Sequence, residues 1–145
     1  MKRILLTGIA LILLTSCGTQ LYYWGSNKLS GVSEYEDLTY KNYDKRTPES
    51  ICALLCLYED MITNPRGLRN VPPPGICAEF GYLLLQPDTE EIFAGHATRK
   101  QKESFAEMNT SSFKALGIQM LEKEIELYPE SAVFIDPLVK KFSEN

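Results

Sequence analysis

Ile51, Leu54, Leu55, Tyr58, Met61 and Ile62 recur at i, i+3, i+4, i+7, i+10 and i+11, an unbroken apolar stripe on the helical period. The stripe commits this stretch to a helix buried along one side, and its limits are marked. Thr47 is an N-cap residue. Pro48 suits the first helical position, where an N–H would have no partner, and Glu49 complements the positive end of the helix dipole. Asn64-Pro65-Arg66-Gly67 stops the helix. No segment shows the period-two alternation of a half-buried strand, so the chain is expected to be all-α.

The remaining segments fit that class. Tyr35, Leu38, Tyr40 and Tyr43 follow a loosely helical pattern between Ser33 and Asp44. A turn-rich link, Val71-Pro72-Pro73-Pro74-Gly75, leads into Ile76–Gln86, where Ile76, Cys77, Phe80, Leu83 and Leu84 share a side. Residues 88–111 are mixed, with Phe93, Ala94 and Phe105 as isolated apolar points and a short helix expected over Thr98–Met108. Ser112 then caps a strong helix carrying Phe113, Leu116, Met120, Leu121, Ile125 and Tyr128. Pro129-Glu130-Ser131 closes it and is expected to cap a last helix, Ala132–Phe142, which Pro137 should bend or split.

The N-terminal residues carry an address. Lys2 and Arg3 precede an apolar run from Ile4 to Leu14, then Leu14-Thr15-Ser16 leads into Cys17. The run is shorter than the ~20 residues a membrane crossing needs. It matches the hydrophobic region of a secretory signal. The order reads as a bacterial lipoprotein signal, in which residues 1–16 are removed and Cys17 becomes an acylated N-terminus. Two or three acyl chains, at ~0.8 kcal/mol per buried methylene, make a firm anchor. Gly18 after the cysteine permits transfer to the outer membrane under the enterobacterial sorting rule. The expected organisation is a signal at 1–16, a lipidated cysteine and tether at 17–32, and a helical domain at 33–145. Losing Lys2 and Arg3 takes the formal net charge from −4 to −6, which disfavours nucleic acid as a partner and overall electrostatic adhesion to anionic lipid, both of which want basic patches.

Individual residues give little chemistry. His96 is the sole histidine, near Glu90 and Glu91, and a hydrolase using it is the enzymatic alternative. It lacks a companion nucleophile motif, so an enzyme is not expected. Asp88, Glu90 and Glu91 lack the pattern of a calcium loop, and no Cys-x-x-Cys pair accompanies His96 as zinc ligands. No metal, cofactor or small-molecule substrate is indicated. Glu79 sits on an otherwise apolar helix, to pair with a lysine or face solvent. Glu122, Lys123, Glu124 and Glu126 read as a solvated face. Besides Cys17, Cys52 and Cys56 share a helix face and either is placed to meet Cys77 in a disulfide, but the odd count favours three buried thiols.

Two resemblances add to this reading. Pro74–Leu84 and Leu121–Ser131 resemble a degenerate tetratricopeptide-type hairpin, with Gly81 as the small residue where the partner helix presses close and Pro129 at the boundary. Gly117 falls where that repeat's second helix carries alanine. The spacing from Gly81 to Pro129 exceeds a regular repeat, so residues of about 88–111 read as an insertion. The mature chain also resembles a bacterial lipoprotein family known as domain-of-unknown-function 4810. The residues carrying it are Leu21-Tyr22-Tyr23-Trp24-Gly25-Ser26, Pro73-Pro74-Gly75, Ala78, Gly81-Tyr82-Leu83, Glu122-Lys123-Glu124, Tyr128-Pro129-Glu130-Ser131, Phe134 and Asp136. Asn27, Pro137 and the insertion depart from its pattern. The resemblance implies a helical lipoprotein without enzymatic activity, encoded beside a curli-secretion-channel-like lipoprotein and sharing an envelope assembly with it.

Tyr22, Tyr23 and Trp24 lie so close to Cys17 that they either sit at the membrane interface or staple the tether to the helical domain. The expected function is a helical protein-interaction or assembly module, displayed on the periplasmic face of the outer membrane. Its partners would be other envelope lipoproteins, held in a groove between Ile76–Gln86 and Phe113–Tyr128 by Phe80, Tyr82, Leu121 and Tyr128.

Overall fold

A computed structural model describes residues 20–26, 31–108 and 112–144. The signal segment and Cys17 lie outside the described residues. Among these residues the chain forms seven α-helices and no strand: α1 (Glu34–Asp44), α2 (Pro48–Thr63), α3 (Ile76–Leu84), α4 (Thr89–His96), α5 (Arg99–Met108), α6 (Phe113–Leu127) and α7 (Ala132–Ser143). A single 3-10 turn, Pro129–Ser131, joins α6 to α7. The all-α expectation is met.

Local chemistry sets the helix starts. Ser33 and Glu36 form a reciprocal capping box on α1, and Thr47 and Ser50 form one on α2. Thr98 and Gln101 exchange the same pair of bonds at α5. Ser112 Oγ accepts the Ala115 N–H at 3.3 Å to start α6. Ser131 does not cap α7 as expected. Its hydroxyl is buried without a partner, because the chain enters α7 from a 3-10 turn already helical in conformation. Pro137 does not split α7 either. The carbonyl that loses its N–H donor belongs to Val133, and Val133 and Pro137 are both exposed, so water can replace the missing bond.

α2 is the central element, packed against α1, α3, α4 and α5, and the sequence stripe is buried along its length. α3 makes its most extensive contact with α6, and α7 packs on α6. Described residues of the segment read as an insertion contribute to the core. Phe93 of α4 and Phe105 of α5 are buried, their ring centroids 4.8 Å apart, and both rings also meet Phe113. These rings continue through Phe80, Tyr58 and Tyr35 to Trp24, each pair 5.1–6.3 Å apart. Such tilted and edge-on pairs contribute beyond the area they bury.

Candidate functional site

The groove expected between α3 and α6 is filled by the helices themselves. A Cβ on Gly81 would stand 2.7 Å from the Gly117 carbonyl oxygen, so the two backbones touch. Gly75 meets Glu124 at one end of the pair and Leu85 meets Gly117 at the other, which makes the helices antiparallel. Phe80 and Leu121 are fully buried, and Tyr128 is buried with its hydroxyl donating to the Pro72 carbonyl at 2.6 Å. These three residues hold the core together and line no groove. Of the four expected groove residues, only Tyr82 is exposed.

The opening lies on the other side of α3. A depression of about 320 Å³ is bounded by Asn42 of α1 and Arg46 just after it, Leu54 and Tyr58 of α2, Glu79, Tyr82 and Leu83 of α3, and Gln86 just after α3. Glu79 is its carboxylate, and Arg46 is the cation on its rim. The Tyr35 hydroxyl donates to both Glu79 oxygens, at 2.9 and 3.0 Å, and the Tyr58 hydroxyl donates to Oε2 at 2.7 Å. Burial, then the adjacent Glu79 charge, pushes both phenols well above the ordinary tyrosine range, so they stay protonated and donate. No cation pairs with Glu79 among the described residues. Arg46 is engaged elsewhere, in a two-pronged pair with Asp88 at 2.6 and 2.8 Å. Those two hydrogen bonds hold the Asp88 carboxyl below its ordinary value. The site thus offers a fixed carboxylate beside the exposed Tyr82 ring, an arrangement suited to a cationic side chain.

Two more carboxylates escaped the sequence reading. Glu124 is buried, not solvated. Its carboxylate accepts the N–H groups of Gly75 at 2.7 Å, Cys77 at 3.2 Å and Ala78 at 3.4 Å, capping α3 from another helix. Burial raises its pKa, against the pull of those donors and with the Glu79 charge adding to the rise. Glu59 is also buried, and the Ser104 hydroxyl donates to it at 3.3 Å. A signal for both existed in the sequence. Glu124 falls three and four residues after Leu121 and Met120, and Glu59 four after Leu55, so each lies on the apolar stripe of its own helix.

Tyr22, Tyr23 and Trp24 lie on the helical body. Tyr23 and Trp24 pack against the core, and the Trp24 carbonyl accepts the Tyr35 N–H at 3.2 Å. The Arg66 guanidinium sits over the Tyr23 ring at 4.1 Å and that of Arg69 over Tyr22 at 5.8 Å. Leu68 and Arg69 donate backbone N–H groups to the carbonyls of Gln20 and Leu21. Residues 20–26, expected to be tether, are therefore laid along the domain.

His96 is exposed at the last position of α4, while Glu90 and Glu91 occupy the first turn. Five or six residues at 100° each put His96 on a different face from either glutamate, so the structure does not assemble that pair. No cluster of His, Cys, Asp or Glu among the described residues is arranged to hold a metal ion. Cys52, Cys56 and Cys77 are free thiols, Cys52 and Cys77 buried and Cys56 half-buried. Burial, first among the causes, pushes Cys56 and Cys77 up to about 12. No described helix is long and apolar enough to cross a membrane.

Comparison of the chain with protein-family models, curated proteins and solved structures found no match.

Proposed function

We propose that this protein is a non-enzymatic helical interaction module, held at the periplasmic face of the outer membrane by an acylated Cys17, that binds another envelope lipoprotein through the depression beside α3. The observation that carries the reading is Glu79. Two tyrosine hydroxyls fix its carboxylate in a depression next to an exposed aromatic ring. A partner segment presenting lysine or arginine would complete both the carboxylate and the Tyr82 face. The formal charge of −6 after signal removal favours a basic partner segment in the same way. The resemblance to domain-of-unknown-function 4810 lipoproteins points to the same compartment and to partners of a curli-secretion-channel-like system.

Crosslinked capture of the lipoprotein from its native envelope tests this, with Tyr82→Ala and Cys17→Ala as comparisons. A defined envelope protein recovered with the parent chain and lost with either variant is the expected result. Recovery undiminished by Tyr82→Ala would remove the depression from the account. Recovery no greater than with Cys17→Ala would remove the anchored assembly.

A further inference from the structure

The placement of Gln20 restricts which face of the domain can meet the membrane. If Cys17 carries the anchor, as proposed above, two residues lie between it and Gln20, so the three steps of chain reach roughly 10 Å at full extension. That reach is comparable to the headgroup layer of a bilayer, so the surface around Gln20 is brought to the lipid. The Gln20 and Leu21 carbonyls accept the Leu68 and Arg69 N–H groups at 3.1 Å. Gly67 packs so closely that a Cβ there would lie 2.8 Å from the Leu21 carbonyl oxygen. The 67–69 loop is thus held directly beside the attachment point.

This loop and the strip it holds are apolar and cationic together. Leu21 is 53% exposed and Leu68 66%, two of the larger apolar side chains left in water. Arg66 and Arg69 flank them, each over a tyrosine ring. Asp60 pairs with Arg66 at 3.1 Å, whereas no carboxylate among the described residues pairs with Arg69. In an acidic chain, this face carries an uncompensated cation beside two exposed leucines. Leucine side chains that enter the headgroup boundary, with arginine reaching phosphate and tyrosine at the same level, are the components of an interfacial membrane contact.

We infer that Leu21, Leu68 and Arg69 form a docking face for the phospholipid surface, so that the protein lies against its membrane with the depression beside α3 in a fixed orientation. The inference rests on the anchored reading of Cys17, and the test separates the two. Leu68→Cys protein purified from its native envelope, labelled with an environment-sensitive fluorophore, is reconstituted in vesicles of phosphatidylethanolamine and phosphatidylglycerol. Tyr43→Cys, at the far end of α1, is the comparison. The native thiols are buried or half-buried, which directs the label to the introduced cysteine.

The expected result is severalfold brighter emission at position 68 than at 43, quenched by nitroxide-bearing lipid. Arg69→Glu protein, still anchored by its acyl chains, should lose part of that difference. Protein that floats with the vesicles yet shows equal, dim emission at both positions would leave the anchor standing and overturn the bilayer as occupant, giving the face to a protein partner. Protein that fails to float would remove the anchor and the docking face together.

Discussion

Gly81 lies against Gly117 across the antiparallel α3–α6 pair, so close that a methyl group on Gly81 would stand 2.7 Å from the Gly117 carbonyl oxygen. Backbone cannot swing aside as a side chain does, so Gly81→Ala should force the helices apart and cost about 1–3 kcal/mol. A Cβ on Gly117 first meets Leu85, whose side chain can turn away, and lies 3.0 Å from the Gly81 oxygen. Gly117→Ala should therefore cost less. Urea denaturation of the two variants checks the order, and equal losses would contradict the close approach.

Glu124 should make stability depend on pH in an uncommon direction. Its folded pKa is raised above the ordinary 4.5, so its contribution is fully present below that value and is lost as pH rises through the folded one. Glu124→Gln keeps an oxygen for the Gly75 N–H but cannot titrate. Relative to this variant, the parent chain should lose stability as pH rises from the ordinary carboxylate range through the raised folded pKa of Glu124. A difference that stays flat across that range, measured by denaturant titration, would contradict the reading.

The 88–111 segment should behave as core. Phe105 is buried against Phe80, Phe93 and Phe113, so Phe105→Ala should cost about 3–5 kcal/mol. His96→Ala, in the same segment but exposed, should leave the melting temperature and the cellular phenotype unchanged. A lost phenotype with intact folding would revive an enzymatic reading.

The thiols should be quiet in the native protein. With Cys52 and Cys77 buried and Cys56 held near 12, alkylation at neutral pH should be slow, and denaturation without reductant should release three reactive thiols. Fewer than three would reveal a bridge from Cys77 to Cys52 or Cys56.

Helix limits were legible because their signals are local. Thr47-Pro48 and Ser112 mark starts that depend only on backbone groups one turn away. The α3–α6 pairing was legible through Gly81, because a helix crossing this tight leaves few residue types at the contact. What the sequence hid was which side of α3 stays open. Phe80, Leu121 and Tyr128 are apolar in a groove or in a core alike, and only the closeness of the two backbones decides between them. Glu124 was hidden for the opposite reason. Its neighbours Glu122 and Lys123 made the segment look solvated, although its helical register with Met120 and Leu121 points inward. The Glu79–Tyr35–Tyr58 cluster joins three helices and has no local signature at all.

Both the proposed assembly role and the membrane-docking face depend on Cys17. The most direct test is the mass of the N-terminal peptide of the protein purified from its native envelope. A chain that begins at Cys17, with a diacylglyceryl group on its sulphur, is the expected result. An N-terminus at any other residue, or an unmodified Cys17, would contradict both proposals.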